Sequence, residues 1–354
     1  MSSVGAPPPS AADPVTLDPA AVARFAHDLA AAIGVPPAGP IALAVSGGPD
    51  SMAMLALAHA AHPGRVIAAT VDHRLRPDAA DEAAIVARWC RDAGIPHATL
   101  APERPPRGAS IQAQARQLRY QLLGRWALGE EAAALLTAHH ADDQAETFLM
   151  RAVRGSGPAG LAGIRRYWTW HPERWDGTGA GEARGLPVVR PLLGWRRATL
   201  RALAEAAALP FVDDPSNTDP RHDRTGVRAL LAGSPPLDVE GLARAAQHCA
   251  ETDAAIAETV TWIERERLCP APAGERALDM AGLPRELRRR LVRRAIRHVR
   301  HHAPAAEGSW SDSANVEPLL DALEGGSGAT QAGVSASAHG DRWHFRPAPP
   351  RRSA

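Results

Sequence analysis

The chain contains no lysine: all forty of its basic residues are arginine. A Walker A lysine, a Schiff-base lysine and a lysyl covalent intermediate are thereby excluded, so any amine nucleophile must arrive with a substrate. Cysteine is scarce. Cys90, Cys249 and Cys269 lie far apart with no Cys-x-x-Cys pair, which argues against a zinc ribbon or a dithiol redox motif and reads as reduced, structural thiols. No uninterrupted apolar run can cross a bilayer, because the longest uncharged stretch, Leu29 to Pro49, is broken by Pro36, Pro37, Pro40 and glycines. The first residues carry neither a positive flank nor an apolar block before a cleavage site, so no secretory signal is read and a cytoplasmic location is expected. Charge of one sign is also missing. Forty basic against 39 acidic residues leave a net charge of +1, and only the distribution of charge can point to a nucleic-acid partner.

What is present is the composition of a soluble globular protein, 45% hydrophobic and 22% charged. At about 150 residues per domain, 354 residues suggest two domains. Residues 1–17, rich in Ala, Pro and Ser, read as a loose tail. Asp18-Pro19 opens a helix with Val22, Phe25, Leu29 and Ile33 at helical spacing, and Ile41 to Val45 reads as a buried strand. Strands at Val66 to Val71, His97 to Leu100 and Ala133 to Thr137 then alternate with helices near 50–61, 78–93 and 109–128. This alternation predicts an α/β fold with a doubly wound parallel sheet, whose ligands bind beyond the carboxyl ends of the strands. The Trp-, Gly- and Arg-rich stretch after Gly163 reads as a surface loop, followed by helices from about Trp195 to Leu209 and up to Leu231. Gly233-Ser234-Pro235-Pro236 is the expected linker between a nucleotide-binding domain, 18–233, and a smaller, mostly helical C-terminal domain, 237–354. A long helix runs from Val239 to Ile263 with Asp253 as its one polar break, shorter helices lie near 283–302 and 315–323, and strand-like runs at Thr330 to Ser337 and Arg342 to Phe345 end the domain in a β-hairpin.

The chemistry concentrates after the strands. Ser46-Gly47-Gly48-Pro49-Asp50-Ser51 follows the first strand and opens a helix, so a glycine-rich turn presents backbone N–H groups and two hydroxyls at a helix N-terminus, the makings of an anion cradle. Pro49 suits a first turn, where its missing N–H costs nothing. The pattern is neither Walker A nor Gly-x-Gly-x-x-Gly. After the second strand stand Asp72 and His73, readable as nucleotide contacts or as a strand-end cap and a satisfied polar residue. His139, His140, Asp142, Asp143 and Glu146 crowd the end of another strand and the next helix. One carboxylate of a first turn can simply cap it, whereas Asp143 and Glu146, three apart, share a face suited to a divalent ion or an amine. Arg116 and Arg119 share another helical face.

Ser46 to Ser51 resembles the pyrophosphate loop of the ATP α-hydrolase family. The likeness narrows with Val71-Asp72-His73-Arg74-Leu75-Arg76, Ala115-Arg116-Gln117-Leu118-Arg119-Tyr120, Thr137 to Thr147, Arg151-Ala152-Val153-Arg154-Gly155-Ser156-Gly157, Arg190-Pro191-Leu192 and Asp214 to Asp219. Together these resemble the tRNA(Ile)-lysidine synthetases, over about residues 41–232 and more weakly through Gly328-Ala329-Thr330, Gly333 and the Arg342 hairpin. The resemblance implies an ATP- and Mg2+-dependent ligase that joins L-lysine to C2 of the wobble cytidine of tRNA(Ile) with a CAU anticodon, releasing AMP and pyrophosphate. It implies that Ser46 to Ser51 hold pyrophosphate and tips Arg116 toward the nucleotide; the residues' own chemistry adds Asp72 and His73 at the ATP, Asp50 and Asp143 as the expected magnesium carboxylates, and His139, His140, Asp142, Asp143 and Glu146 as the expected catalytic cluster. Arg224-Thr225-Gly226 departs from the family's Arg-Asn pair. Longer members carry a further tRNA-gripping C-terminal domain, so a compact version is expected here.

Eight arginines and three histidines against the single acid Glu286 lie between Arg285 and His302, a one-sided run expected to need anionic company. Arg289 and Arg293 on it, with Arg151, Arg154, Arg224 and Arg228, are the expected tRNA contacts. Tryptophans 168, 170, 175, 195, 310 and 343 are read mainly as packing residues. A homodimer is compatible with the sequence, which does not settle the oligomeric state. Rival readings are tRNA thiolation on the same nucleotide domain, disfavoured by the unpaired cysteines, an amidotransferase-coupled synthetase, and an idle tRNA-binding relative.

Overall fold

The computed structural model describes residues 16–34, 38–74, 79–105, 108, 111–172, 184–213, 223–234, 236–302, 310 and 314–349. Leu75, Arg76, Trp175 and the Asp214 to Asp219 motif lie outside these. Two compact units divide between Ala250 and Glu251.

The first unit opens with α1 (Pro19–Ile33), capped by the Asp18 carboxylate on Ala20 N–H at 2.9 Å with proline at the helix start, as the Asp-Pro pair predicts. It continues through β1 (Ile41–Ala44), α2 (Pro49–Ala61), β2 (Val66–Val71), α3 (Ala79–Asp92), β3 (His97–Leu100), α4 (Ile111–Gly129), β4 (Ala134–Leu136), α5 (Ala141–Val153) and α6 (Pro158–Leu161). Then come β5 (Tyr167–Trp170), β6 (Leu186–Val189), a 3-10 turn at Pro191–Gly194, α7 (Arg197–Ala206), α8 (Asp223–Gly233) and α9 (Val239–Arg267). Six strands form one sheet in the order β3-β2-β1-β4-β6-β5, parallel except for the antiparallel edge strand β5. β1 is flanked by β2 on one side and β4 on the other, so the strand order reverses at β1, where a doubly wound sheet opens its ligand crevice. Buried side chains cover both faces: Leu43, Met52, Leu55, Phe25 and Trp195 on one, Ala42, Leu123, Leu135 and Trp170 on the other. That double burial explains why the central strands read as unbroken apolar runs.

Three expectations change. The stretch after Gly163 holds a strand: Tyr167–Trp170 pairs with Leu186–Val189 as the sheet's edge, and Trp170 is 1% exposed, while residues 173–183 of the expected surface loop lie outside the described residues. The aromatic and Thr residues of Tyr167–Trp170 suit a strand, but the run is short and lacks alternation, and pairing with β6 supplies what the pattern does not. The expected linker at Gly233 to Pro236 is not where the compact units part. Ala246 is fully buried and Glu240 lies 3.9 Å from Arg196, so the first turns of α9 belong to the first unit. The terminal hairpin is part of a larger sheet.

The second unit holds β7 (Leu268–Cys269), β8 (Arg276–Asp279), α10 (Arg285–His302), α11 (Glu317–Glu324), β9 (Gly328–Gln331), β10 (Val334–His339) and β11 (Arg342–Pro347). Its five strands form an antiparallel sheet, β7-β8-β11-β10-β9. The apparent single run Thr330 to Ser337 bends at Ala332 and Gly333, both with positive φ, into two strands. Leu278, Phe345 and Trp343 from the sheet pack with Val292, Ile296 and Val299 of α10 and Leu320 of α11.

A Cβ at Gly124, in α4, would sit 2.6 Å from the indole of Trp170. Helix-interior glycine normally gains from alanine, but here the overpacking dominates. Gly124→Ala should lower stability by about 1–3 kcal/mol in denaturant titration; an unchanged or raised midpoint would show that Trp170 yields freely.

Candidate active-site cleft

At the carboxyl ends of β1 and β4 lies a cleft of about 760 Å³, lined among others by Ser46, Gly48, Pro49, Asp50, Ser51, His73, Arg116, Arg119, His139, His140, Asp143, Arg224 and Arg228. Its floor is the glycine turn. Gly47 adopts φ +84°, a conformation that favours glycine, and its carbonyl accepts Val212 N–H at 2.9 Å. Ser51, 4% exposed, braces the loop by donating to Gly48 C=O at 2.9 Å and accepting Ser46 N–H at 3.1 Å. Ser46 is the exposed hydroxyl of the pair. Pro49 and Asp50 form the first turn of α2, with Gly48 as its cap residue. This is the cradle expected from the sequence, except that one of its two hydroxyls serves the loop itself.

His140 joins this loop to the second motif. It caps α5 by accepting Asp143 N–H at 3.3 Å on Nδ1, while the Asp143 carboxylate accepts His140 N–H at 3.2 Å, a reciprocal capping box. Its Nε2 lies 3.4 Å from both the Asp50 and the Asp143 carboxylates. Burial opposes a charge on this ring, but the hydrogen bond to Asp50 and the fields of Asp143 and Asp50 outweigh it and raise its pKa above the ordinary imidazole value. Two carboxylates from two motifs thus converge on one imidazole at the cleft.

The three carboxylates expected to act on an amine are separated by their partners. Asp142 accepts Arg197 N–H at 2.8 Å and both guanidinium donors of Arg196 at 3.3 Å. Burial would raise its pKa, but these hydrogen bonds hold it below the usual carboxylate range. Glu146 is 1% exposed and receives Arg197 at 3.1 Å and Arg228 at 2.7 Å. It anchors two arginines that line the cleft instead of sharing an open face with Asp143, because α8 packs Arg228 across it. Of the three, Asp143 alone lines the cleft.

The Asp72 carboxylate accepts Arg74 N–H at 2.8 Å beyond the strand end and does not line the cleft, whereas His73 does. Burial, with Arg119 close by, lowers the His73 pKa against the opposing pull of Asp72. Arg151, expected on RNA, instead donates to Gly160 C=O at 2.6 Å and Gly163 C=O at 3.0 Å, holding the turn after α5. Arg154, at the C-terminus of α5, is exposed. Arg228 is bound to Glu146, and Arg224 faces the cleft from an exposed position.

The arginine helix of the second unit has its anionic company within its own unit. Arg285 reaches Glu317, Asp321 and Glu324; Arg289 reaches Glu286 and Glu317; Arg290 reaches Glu286 and Asp253, the polar break of α9; Arg294 reaches Glu264. Arg293 donates to Ala314 C=O. The repulsion argument for Arg289 and Arg293 as tRNA contacts therefore falls, since the acids of α11 neutralise a run whose isolation was only apparent in sequence.

Residues missed from the sequence are Arg197, Arg201, Tyr120 and Arg190. Arg201 lines the cleft and is held by Asp213 at 2.7 Å and Glu205 at 2.9 Å. Tyr120, 3% exposed, has three guanidiniums around it: Arg116 and Arg119 at 5.2 and 5.7 Å from its ring centroid, and Arg190 at hydrogen-bond distance. Burial alone would raise its pKa, but these cations pull it below the ordinary phenol value. Arginine after an apolar strand was the available signal for Arg190, and the Ala115 to Tyr120 motif for Tyr120; nothing local marks Arg197 or Arg201.

A profile of the PP-loop domain family matches residues 21–233. A tRNA(Ile)-lysidine synthase of Zymomonas mobilis is 41% identical over 319 residues, covering 90% of this chain and 92% of that protein. One of Novosphingobium aromaticivorans is 40% identical over 335 residues, covering 94% and 95%. Among solved structures, the U34-tRNA thiolase of Methanococcus maripaludis superposes with a TM-score of 0.51 at 17% identity over 66% of this chain and 80% of its own, a likeness of fold.

Removing the Glu146 carboxylate leaves Arg197 and Arg228 without their shared anion. Glu146→Ala should cost on the order of 3 kcal/mol in unfolding free energy; melting at the wild-type temperature would show that the pairing contributes nothing.

Proposed function

This chain belongs to the tRNA(Ile)-lysidine synthases, a family built on the PP-loop domain, and from that membership we propose that it ligates lysine to the wobble cytidine of a CAU-anticodon tRNA(Ile) at the cost of one ATP. Like its family it is an ATP-using ligase acting on tRNA(Ile). The observation that carries the site assignment is the convergence of the Ser46 to Ser51 turn and the His139 to Asp143 segment on one cleft.

In this reading the turn at the start of α2 takes the β- and γ-phosphates, which its amides and helix N-terminus favour. The 2-carbonyl oxygen of cytosine attacks the α-phosphorus, forming a bond to the base as the bond to pyrophosphate breaks. The residues present fit a magnesium ion. Asp50 Oδ1 is buried with no partner among the described residues, and the Asp50 and Asp143 carboxylates converge on His140. These are hard oxygen donors of the kind that, with phosphate oxygens and waters, complete a magnesium shell. Bound there, the ion would neutralise charge at the phosphates during adenylyl transfer.

The ε-amine of lysine then adds at C2 and AMP leaves. The incoming amine is an ammonium at neutral pH, with a reference pKa of about 10.4, and must lose its protons. Asp143 is the carboxylate placed to receive one, because Asp142 and Glu146 are engaged with arginines. Arg116 and Arg224, on the cleft, supply the RNA-facing charge.

Nucleosides from tRNA(Ile) incubated with enzyme, ATP, magnesium and lysine should show a lysine-sized mass increase on cytidine. An unchanged cytidine would overturn the assignment. Asp143→Ala should lower turnover by at least about 10²-fold, measured as pyrophosphate release; full ATP-dependent turnover would remove Asp143 from the chemistry. tRNA affinity should fall steeply between 50 and 200 mM salt, in the manner of phosphate-contacting proteins, and a flat binding response would exclude the arginine contacts.

A further inference from the structure

Arg190 is a buried cation with no acid for a partner among the described residues. It is 4% exposed, and its guanidinium donates to Arg165 C=O at 2.5 Å, Tyr120 Oη at 3.2 Å and His139 Nδ1 at 3.3 Å. Burying a guanidinium without a carboxylate is costly. The fork is held by the backbone on one side and a phenol on the other, and its remaining donor, Nε–H, points at one atom of one imidazole.

That bond has a chemical consequence. Arginine is always protonated, so His139 Nδ1 must accept, and the ring proton is confined to Nε2. Thr137 Oγ1, 3.0 Å from the same Nδ1, is a hydroxyl that can donate to it as well. A second proton is opposed by burial and by the guanidiniums of Arg190, Arg119, Arg116 and Arg224, which hold the His139 pKa well below the ordinary value. Nε2 has no hydrogen-bond partner among the described residues, and the ring lines the cleft.

We propose that Arg190 is a positioning residue that locks His139 as a neutral Nε2–H donor, and that this N–H binds an anionic oxygen of the transferring adenylyl group. No proton is transferred: the ring stabilises charge that shifts on the phosphoryl oxygens during attack by the base and departure of AMP. A fixed, uncharged donor needs no reorganisation when that charge develops. The proposal rests on the adenylyl-transfer reading above and adds the tautomer of His139 and the residue that sets it.

Replacement of Arg190 by methionine frees Nδ1 to hold the proton and donate it to Thr137, leaving Nε2 as a lone pair facing the phosphoryl oxygen. Turnover of Arg190→Met should therefore fall about 10²-fold at pH 8, the usual loss for one preorganised donor. The deficit relative to wild type should shrink only as pH falls below the ordinary imidazole range, because burial and the guanidiniums of Arg119, Arg116 and Arg224 remain in the variant and still oppose the proton that restores Nε2–H. Other groups at the cleft, His140, His73 and Asp143 among them, remain in both proteins and cancel in that ratio. Arg190→Lys, which keeps a cationic donor, should give a smaller and pH-independent deficit. His139→Gln, whose side-chain amide can still donate, should exceed His139→Ala by at least about 10-fold.

Imidazole ¹⁵N spectra of labelled wild-type enzyme read the tautomer without reference to activity or to any variant's folding. A protonated Nε2 and bare Nδ1 on His139 at pH 7 is the expected result. The reverse tautomer, a pH-independent deficit in Arg190→Met, or equal losses in His139→Gln and His139→Ala would each overturn the proposal. A wild-type enzyme that shows the expected spectrum yet releases no pyrophosphate would instead overturn the adenylyl-transfer reading.

Discussion

The parallel pairing of β1 with β4, Ile41 to Ala134 through Leu43 to Leu136, is the constraint on which the active site depends. Neither strand carries a functional side chain. Side-by-side parallel strands end at the same edge of the sheet, so the segments that follow them, Ser46 to Ser51 and His139 to Asp143, emerge into one cleft though about ninety residues separate them in sequence. β2 on the other side of β1 brings His73 to the same edge. With the strands buried on both faces, a register slip would mismatch the packing on each and misalign the residues that line the cleft.

Around that edge the chain handles charge almost wholly with arginine. A guanidinium cannot lose its proton at physiological pH, so its charge is neutralised by acids, dispersed over neutral acceptors or left for a ligand. All three occur. Glu146 neutralises Arg197 and Arg228, Asp142 takes Arg196, and the acids of α11 and α9 take most of α10. Among the described residues Arg190 has a carbonyl, a phenol and an imidazole. Arg116 and Arg224 line the cleft among further guanidiniums, which makes that wall electropositive and suited to nucleotide and RNA phosphates. Acidic oxygens cluster instead at Asp50 and Asp143. The cleft therefore has an electronegative end and an electropositive end.

Much of this was legible in the residue order. The strand-glycine-turn-helix pattern at Ile41 to Ser51 is local, and local structure follows it closely; the first-turn carboxylate expected to cap the next helix is Asp143, which shares that role with the unforeseen His140. The edge strand Tyr167–Trp170 was not legible, because four aromatic and polar residues become a strand only when a partner supplies the ladder. Nor was the fate of Asp72, Arg151 or Arg289. A side chain's type states what it can bond, while its actual partner depends on which groups the fold brings within about 3 Å.

The sequence by itself determined the class of chemistry: no lysine nucleophile, a glycine turn at a helix N-terminus, carboxylates and histidines after a neighbouring strand, and a parallel α/β sheet to display them. Periodicity and turn chemistry suffice for that, since both act over a few residues. Only the tertiary structure decided which carboxylate faces the cleft, which arginines are already paired and which nitrogen of His139 is left for a ligand. Those outcomes depend on contacts between residues tens of positions apart, and contacts of that range are made by packing.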